Sequence, residues 1–298
     1  MEQTKTELSI LIPVYNTVCV DFVRQLQQQA ADILREYEII VADDASTDQA
    51  CIEQNRQIQE MSHCYYILKE VNTGSAATRN FLARQSCYRW LLFLDCDMQI
   101  TDRQFISRYL EPCSSPVVNG GLCIVLDDSL KHSCLRYRYE KAEEPNHTPE
   151  RRQQQPYQSF RSTNFLIDRE VMLRIPFDER FKHSGYEDVF FGKQLRLHDI
   201  SISHIDNPVL MTDFEDNPAY VAKIERSLHT LHDFRYELQG YSRLLTLAEG
   251  IHLTAVRSCL VLFHRIFGPL MRRNLCGSHP LLTIFKLYRT GYYLSIKD

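Results

Sequence analysis

Short apolar segments alternate with segments of helical spacing in the first third of the chain. Four apolar segments predict buried strands, at 9–16, 38–42, 65–68 and 90–94. Apolar residues at helical intervals predict helices over 20–36 and from about 72 to 85. Strands that alternate with helices are typical of linked βαβ units. The pattern therefore predicts an α/β fold with a mostly parallel sheet flanked by helices.

The pattern is less regular in the middle of the chain and becomes helical near its end. Residues 120–126, 162–167 and 200–205 predict further strands, and a helix is expected from Gly185 to Leu197. The polar stretch 141–157, with its prolines and glutamines, predicts a mobile loop. Apolar faces over 248–267 and 281–293 predict C-terminal helices. We therefore expect an α/β domain over residues 1–215 and a helical extension over 216–298.

Composition narrows the class of protein only slightly. The 298 residues are 44% hydrophobic and 24% charged, which is ordinary for a soluble globular protein. A net charge of -4 gives no reason to expect nucleic acid as a partner. The ten cysteines form no C-x-x-C pair, and the polar residues 1–8 are not expected to act as a signal peptide. These features predict a cytoplasmic protein with free, mostly buried thiols, whose only membrane contact would be peripheral.

Two carboxylates follow the most apolar strand segment directly. Asp95 and Asp97 come after the run from Trp90 to Leu94. Ligands of open α/β sheets collect beyond the carboxyl ends of such strands. Two carboxylates at that place are costly without a counter-charge, and hard divalent cations prefer oxygen ligands. This D-x-D predicts a metal site for a phosphate-bearing substrate, although surface aspartate pairs are also common.

Asp43 and Asp44 end the second predicted strand in the same way. One carboxylate pair could accept hydrogen bonds from a nucleobase while the other holds metal and diphosphate. Helix capping is the alternative, because an aspartate before a helix accepts from free N–H groups. Arg79, on the helix that follows Gly74, could bind phosphate in a bidentate manner, or could be an ordinary solvated arginine.

Glu187 and Asp188 are expected at the start of a helix. The helix dipole stabilises a carboxylate there as an anion, a state that suits a proton acceptor. A helix-start carboxylate without catalytic function is the alternative.

Five short segments, in this order, give the chain its resemblance to the family 2 glycosyltransferases, which have the A-type glycosyltransferase fold. The resemblance covers roughly residues 8–215. The segments are Ile12–Asn16, Val41–Asp48, Asn72–Gly74 with Arg79–Asn80, Leu94–Asp97 and Gly185–Asp188.

The resemblance implies a donor-binding role for residues of the first segments. Pro13, Tyr15 and Asp44 would contact uracil or an equivalent base, with Asp43 close by. Arg79 would lie near the nucleotide-sugar donor.

The same resemblance implies a metal site and a catalytic base. Asp95 and Asp97 would face ribose, metal and diphosphate, with Asp97 the better ligand for Mg²⁺ or Mn²⁺. Asp188 would be the base, and Glu187 would hold sugar or acceptor hydroxyls. Many relatives have a metal-binding histidine after this helix, near an Asn-Pro-Val stretch. This chain has none there, and His204 could substitute or could be structural.

The function expected from the resemblance is inverting transfer of a sugar from a nucleotide sugar to a hydroxyl of a glycan or lipid-linked acceptor. UDP is the expected nucleotide, and a cell-surface polysaccharide or glycolipid the expected product. The alternatives are a nucleotidyltransferase of sugar phosphates and a non-catalytic nucleotide-sugar-binding subunit. A glycine-rich basic loop after the first strand, typical of nucleotidyltransferases, is missing at Val14–Asn16. An aspartyl phosphatase is disfavoured by Gln99, and an oxidoreductase by the absence of G-x-G-x-x-G.

The C-terminal helices allow two interpretations. Their apolar faces carry basic side chains, so they could lie peripherally on the inner face of an anionic membrane. Amphipathic helices usually bury their apolar stripe in protein, so packing or a dimer contact is favoured. The sequence leaves the oligomeric state open.

Overall fold

The computed structural model of the chain describes residues 6–182 and 185–297. The chain divides into two compact units. The first comprises Met1–Cys123, Asn146–Lys182 and Phe191–Asp213, and the second comprises Ile124–Pro145, His183–Phe190 and Phe214–Asp298. The domain division expected at residue 215 stays a prediction.

Strands and helices alternate in the first half of the chain and helices dominate its end. The strands within the described residues are β1 (Glu7–Val14), β2 (Glu36–Asp43), β3 (Cys64–Leu68), β4 (Trp90–Leu94), β5 (Met98–Gln99), β6 (Val117–Asn119), β7 (Leu122–Ile124), β8 (Asn164–Asp168), β9 (Ile202–His204) and β10 (Val209–Met211). The α-helices there are α1 (Val20–Ile33), α2 (Gln49–Asn55), α3 (Ser75–Gln85), α4 (Phe105–Leu110), α5 (Leu135–Glu143), α6 (Pro149–Gln154), α7 (Arg169–Arg174), α8 (Glu187–Leu197), α9 (Asn217–Asp233), α10 (Arg243–Glu249), α11 (Thr254–Leu275) and α12 (Leu282–Ser295).

The first unit contains a seven-stranded sheet with the order β3-β2-β1-β4-β8-β6-β9. The pairs β1–β2, β2–β3, β1–β4 and β6–β9 are parallel. Strand β8 is antiparallel to both of its neighbours, β4 and β6. The prediction of a mostly parallel sheet is therefore confirmed, with β8 as the exception. A smaller sheet has the order β5-β10-β7.

Aromatic side chains fill the core beside β4 and β8. The rings of Phe93 and Phe165 stack with centroids 4.9 Å apart, and those of Phe177 and Phe191 stack at 4.1 Å. All four side chains are almost completely buried. Burial of rings of this size contributes about 1.5–3 kcal/mol each, so this cluster anchors α8 on the sheet.

The strand expected at 120–126 is confirmed only over Leu122–Ile124. Strand β6 ends at Asn119 and β7 begins at Leu122, and the two belong to different sheets. Gly121 lies between them at φ +91°, where a side chain would be strained. The glycine pair lets the chain leave one sheet for the other.

The mobile loop expected at 141–157 is also wrong. The segment contains the end of α5, a 3₁₀ turn at Glu144–Asn146 and helix α6. Thr148 caps α6 by accepting from the Arg151 N–H, and Pro149 occupies the first turn. The polar composition predicted a loop because it does not show that some of these polar side chains form buried contacts, which hold the segment in a helix.

Arg152 makes most of those contacts, although its side chain is almost fully buried. The guanidinium donates to the carbonyls of His147 (3.0 Å), Asn119 (3.1 Å), Gly120 (3.3 Å) and Ile205 (2.9 Å). These bonds join α6 to the ends of β6 and β9. A planar group with several fixed donors suits this cluster of carbonyl groups.

The second unit has its own apolar core. Helices α5, α9, α11 and α12 contribute buried residues to it, and these are Leu135, Tyr220, Val221, Met271, Leu275, Phe285 and Tyr288. The C-terminal helices therefore bury part of their apolar surface in protein, as expected. The helix predicted over 248–267 is interrupted after Glu249, and α11 begins only at Thr254.

All ten cysteines are free, as predicted. The expectation that most are buried is wrong, since only Cys19, Cys64 and Cys134 are buried. Searched for membrane spans, the described residues yield no helix with the length and apolar character to cross a bilayer.

Replacement of Arg152 by Met is expected to lower the free energy of unfolding by about 2 kcal/mol or more, because buried carbonyl acceptors lose their donor. Arg151, on the same helix, is exposed, and its guanidinium donates to the Asn146 side chain at 2.7 Å. Arg151→Met is the matched control and should change the value by less than about 0.5 kcal/mol. Urea unfolding measures both, and equal effects would contradict the role given to Arg152.

Candidate functional site

The carboxyl ends of β1, β2 and β4 lie side by side at one edge of the large sheet. Leu11 of β1 pairs with Ile40 of β2 on one side and with Phe93 of β4 on the other. After this row of paired residues, β1 and β2 continue for three residues and β4 for one. The chain passes from β1 to β2 and β3 on one side of β1, and β4 lies on the other. Such a switch point is where open α/β sheets usually bind ligands.

Asp44 follows β2 and is almost fully buried. One carboxylate oxygen accepts from Lys69 Nζ (2.6 Å) and from the N–H of Thr73 (3.0 Å). The other accepts from the N–H of Gly74 at 2.8 Å. Burial by itself raises the pKa of Asp44, but the bonds from Lys69, Thr73 and Gly74, with Thr78, hold that pKa below its usual value. Asp44 is therefore an anion that ties the start of α3 to the end of β2.

The position of Gly74, whose N–H donates to this carboxylate, requires glycine. Its φ is +87°, and an added Cβ would lie 2.8 Å from the carbonyl oxygen of Lys182. A side chain is therefore excluded both by the backbone conformation and by the space available.

Asp43, fully buried beside Asp44, has both carboxylate oxygens engaged. One accepts from the N–H of Ser46 at 2.7 Å and the other from the hydroxyl of Tyr66. Burial, and then the bond to Asp43, raises the pKa of Tyr66, so its hydroxyl stays protonated and donates. These contacts give Asp43 a structural role at the end of β2.

Asn16 joins the loops that follow β1 and β2. Its side-chain oxygen accepts from the N–H groups of Thr47 (2.8 Å) and Asp48 (2.9 Å), and its own N–H donates to the Ser46 hydroxyl at 2.7 Å. Ala45, in the same loop, adopts φ +57°. The left-handed conformation at this position is one that glycine adopts more readily than alanine.

Asp95 follows β4 and pairs with Arg79 of α3. The distance from Arg79 Nη2 to the carboxylate is 2.6 Å, and the side chain of Asp95 is 27% exposed. Arg79 is almost fully buried, and its guanidinium carbon lies 5.6 Å from the centre of the Phe177 ring. Arg79 Nε and Nη1 have no hydrogen-bond partner among the described atoms. This burial favours positioning of Asp95 over the expected direct bidentate contact of Arg79 with phosphate.

Four of the expected site residues remain accessible at this edge. Tyr15 is 47% exposed, Asp97 is exposed, and Pro13 and Asp95 are half-buried. The site thus has a buried layer of satisfied carboxylates beneath an accessible layer that contains Tyr15 and Asp97.

His204 lies on β9 with both ring nitrogens engaged. Nε2 is 2.9 Å from the carbonyl of Pro156, and Nδ1 is 3.0 Å from Arg152 Nη1. A carbonyl only accepts and a guanidinium only donates, so Nε2 carries the proton and Nδ1 accepts. Burial, with the charge of Arg152 as a smaller cause, lowers the pKa of His204 to about 4. A neutral ring without a spare lone pair has no place for a metal, and these contacts give His204 a structural role instead.

Glu187 and Asp188 begin α8, as expected, and belong to the second unit. Glu187 accepts from the N–H of Gly185 at 2.7 Å, and Asp188 accepts from the N–H of Val189 at 2.7 Å. Tyr186, just before them, has φ +70°. Their catalytic roles stay predictions.

The side chains present limit the kind of metal site that the described residues can form. In residues 6–182 and 185–297, no group of three or more His, Cys, Asp or Glu side chains could hold a metal ion. Mg²⁺ is commonly bound by one or two carboxylates together with substrate phosphates. Asp97, with Asp95, fits that smaller donor set.

Sequence reasoning missed three residues that hold the site together, namely Lys69, Asn16 and Tyr66. Lys69 directly follows β3. Its place at the same strand-end edge is a signal that could have identified it, since buried aspartates need a counter-charge.

Comparison with known proteins gives concordant results. A family model described as "Glycosyl transferase family 2" matches residues 9–176, more than half of the chain. An "Uncharacterized glycosyltransferase" of Haemophilus influenzae is 36% identical over 92 residues, covering 30% of this chain and 29% of that protein. A "Chondroitin synthase" of Escherichia coli is 25% identical over 224 residues, covering 63% of this chain and 32% of that protein. The chain spans about a third of the length of these curated relatives.

Solved structures show the same fold at low sequence identity. The mannosyltransferase PcManGT from Pyrobaculum calidifontis, in complex with GDP-Man and Mn²⁺, matches with a TM-score of 0.57 at 12% identity, over 97% of this chain and 84% of that chain. TarS 1–349 of S. aureus, in complex with UDP, matches with a TM-score of 0.50 at 17% identity, over 97% and 90%. These likenesses confirm the predicted fold.

The state of His204 generates a prediction about acid stability. Between about pH 6.5 and pH 4 the unfolded chain binds a proton at this ring and the folded chain does not. The contribution of His204 to the free energy of unfolding is therefore fully present above pH 6.5. As the pH falls from 6.5 towards 4, this contribution decreases by about 1.4 kcal/mol per pH unit.

At pH 5 this loss amounts to about 2 kcal/mol. In His204→Gln, which keeps a donor and an acceptor but does not titrate, this part of the loss is expected to vanish. Urea unfolding of both proteins at pH 7 and pH 5 measures the difference. An unchanged pH dependence in the variant would contradict the neutral buried state of His204.

Proposed function

Because this chain belongs to family 2 of the glycosyltransferases, we propose that it transfers a sugar from a nucleotide-sugar donor to an acceptor hydroxyl with inversion at the anomeric carbon. The observation that carries the proposal is the edge formed by the ends of β1, β2 and β4. The first segments of the motif meet there, with Asp44 paired to Lys69, Asp95 paired to buried Arg79, and Asp97 accessible. This arrangement suits recognition of a nucleoside diphosphate at a sheet switch point.

In this proposal the accessible layer binds the donor. Tyr15 and Pro13 of that layer contact the base, and Asp44 in the buried layer beneath them accepts from a base N–H through the carboxylate oxygen that bonds Gly74. UDP is the nucleotide that we expect, and the UDP-bound TarS structure has the same fold. Asp43 and Arg79 act from below, by holding the loop after β2 and the carboxylate of Asp95.

Asp97, with Asp95 beside it, would hold Mg²⁺ or Mn²⁺ together with donor phosphates. The metal, when bound, stabilises the negative charge that develops on the departing diphosphate.

Asp188 serves as the general base. It takes the proton of the acceptor hydroxyl while that oxygen bonds to the anomeric carbon and the bond to the diphosphate breaks. It lies in the first turn of α8, where the helix dipole favours the anionic form that a proton acceptor needs. Glu187 holds sugar or acceptor hydroxyls. The acceptor that we propose is a glycan or lipid-linked saccharide, since the chondroitin synthase relative is named for a glycan product.

Replacement of Asp188 by Asn is expected to lower the transfer or donor-hydrolysis rate by about 10²–10⁴-fold, because the base is lost. Donor affinity should stay within about threefold, since the substitution preserves shape. The measurement is product formation from a panel of nucleotide sugars, including UDP-GlcNAc and GDP-Man, with UDP affinity by calorimetry.

Asp199→Asn, just beyond the end of the same helix and exposed, is the control and should keep full activity. Wild-type rates in Asp188→Asn would refute the assignment of the base. Donor binding without turnover by the wild-type protein would instead favour a non-catalytic binding subunit.

Replacement of Asp97 by Asn is expected to remove most of the increase in UDP affinity that Mn²⁺ causes. In the presence of Mn²⁺ the affinity of the variant for UDP should be lower by about tenfold or more, because one charged oxygen ligand is lost. Affinity for UDP without metal should change little. Calorimetric titration with and without Mn²⁺ measures both quantities. Asp32→Asn, on exposed α1 surface, is the matched control. A variant at Asp97 that keeps the full metal dependence would contradict this site.

A further inference from the structure

Helix α11 presents a continuous row of apolar side chains to solvent. Leu262, Ile266 and Leu270 follow one another at intervals of four residues, so they lie on one side of the helix. Phe263 and Phe267 lie beside them, with ring centroids 4.8 Å apart. These five side chains, which we name the α11 stripe, are between 39% and 65% exposed. A surface of this extent exceeds the scattered apolar residues that any protein exposes.

The same helix is anchored in the second unit by its other side. Met271 and Leu275 are buried in that unit's core, and Gly268 is buried as well. At 100° per residue, Met271 lies about 140° around the helix from Ile266. The core therefore holds α11 in place while Leu262, Ile266 and Leu270 point away from it, and Phe267, about 40° from Met271, lies at the edge of the α11 stripe.

The charges of α11 are all of one sign. The helix carries Arg257, Arg265, Arg272 and Arg273 and has no acidic residue, although the whole chain has a net charge of -4. Arg265 and Arg273 are exposed and lie about 100° and about 20° around the helix from Ile266, whereas Arg257 lies about 180° from it. Arg272 bonds to Glu225 through Nε at 2.8 Å. A positive, apolar surface on an otherwise acidic protein indicates a negatively charged, apolar partner.

We propose that the α11 stripe binds an anionic lipid surface, with the helix lying in the plane of the interface. Apolar side chains would enter the boundary of the acyl chains, and arginines would reach the lipid phosphates. A second copy of this chain is a poorer occupant. A two-fold contact places the same patch on both subunits, and here it would bring arginines against arginines. The proposal does not depend on the donor chemistry of the first unit.

The test is flotation of the full chain with vesicles of phosphatidylcholine that contain roughly one-third phosphatidylglycerol. We expect binding to these vesicles that is at least about tenfold stronger than to pure phosphatidylcholine vesicles. Raising the salt concentration from about 0.1 M to about 1 M shortens the Debye length from about 10 Å to about 3 Å and should weaken binding.

Variants of exposed residues locate the binding surface. Combined replacement of Leu262, Ile266 and Leu270 by Ser should lower the partition coefficient by at least about tenfold. Replacement of Arg265 and Arg273 by Ser should lower it by about fivefold per residue. Leu197→Ser is the matched control, because Leu197 is 64% exposed and Leu270 is 65% exposed. The control should bind as the wild-type protein does, and unchanged melting temperatures should show that all variants fold.

Three results would overturn the proposal. The first is failure of the wild-type protein to float with the anionic vesicles. The second is equal binding by the stripe variant and the Leu197 control. The third is a dimer in sedimentation analysis that the stripe variant dissociates while flotation is negative, which would assign the surface to self-association.

Discussion

A carboxylate buried at the end of a parallel strand must be hydrogen-bonded or paired with a cation, and this requirement organises the first unit. Asp43 is satisfied by Ser46 and Tyr66, Asp44 by Lys69 and the start of α3. Asp95 is satisfied by Arg79. Most of these bonds join the end of one strand to a segment that is distant along the chain. The cost of leaving such a group unpaired therefore fixes the loops around the candidate donor site.

The same requirement separates residues that build the site from residues that are accessible in it. Asp43 and Arg79 have their polar groups directed into the protein, and they support their neighbours. Tyr15 and Asp97 lie at the surface of the same edge. The buried carboxylates of this site already have hydrogen-bond or cationic partners. A diphosphate with its cation could therefore bind without rearrangement of these buried residues, which favours a preformed donor site.

Buried polar groups also explain the middle of the chain. Arg152 and His204 each find partners among backbone carbonyls or each other. Their contacts convert a segment of loop-like composition into an ordered helix against the sheet. In the second unit, α11 divides its apolar residues between the core and the α11 stripe, so one helix serves both packing and an exposed surface.

The sequence by itself determined the fold class and the place of the candidate site. Apolar runs such as Trp90–Leu94 form buried strands. The acidic residues that follow them in the sequence must then lie at the strand ends, because they are covalently attached there. Only the tertiary structure decided what each polar side chain does. Asp43, Arg79 and His204 are defined by partners 16 to 52 residues away along the chain, among them Tyr66, Asp95 and Arg152. The burial of a side chain and its hydrogen-bond partners depend on how distant segments pack together, and the local spacing of residues in the sequence does not specify that packing.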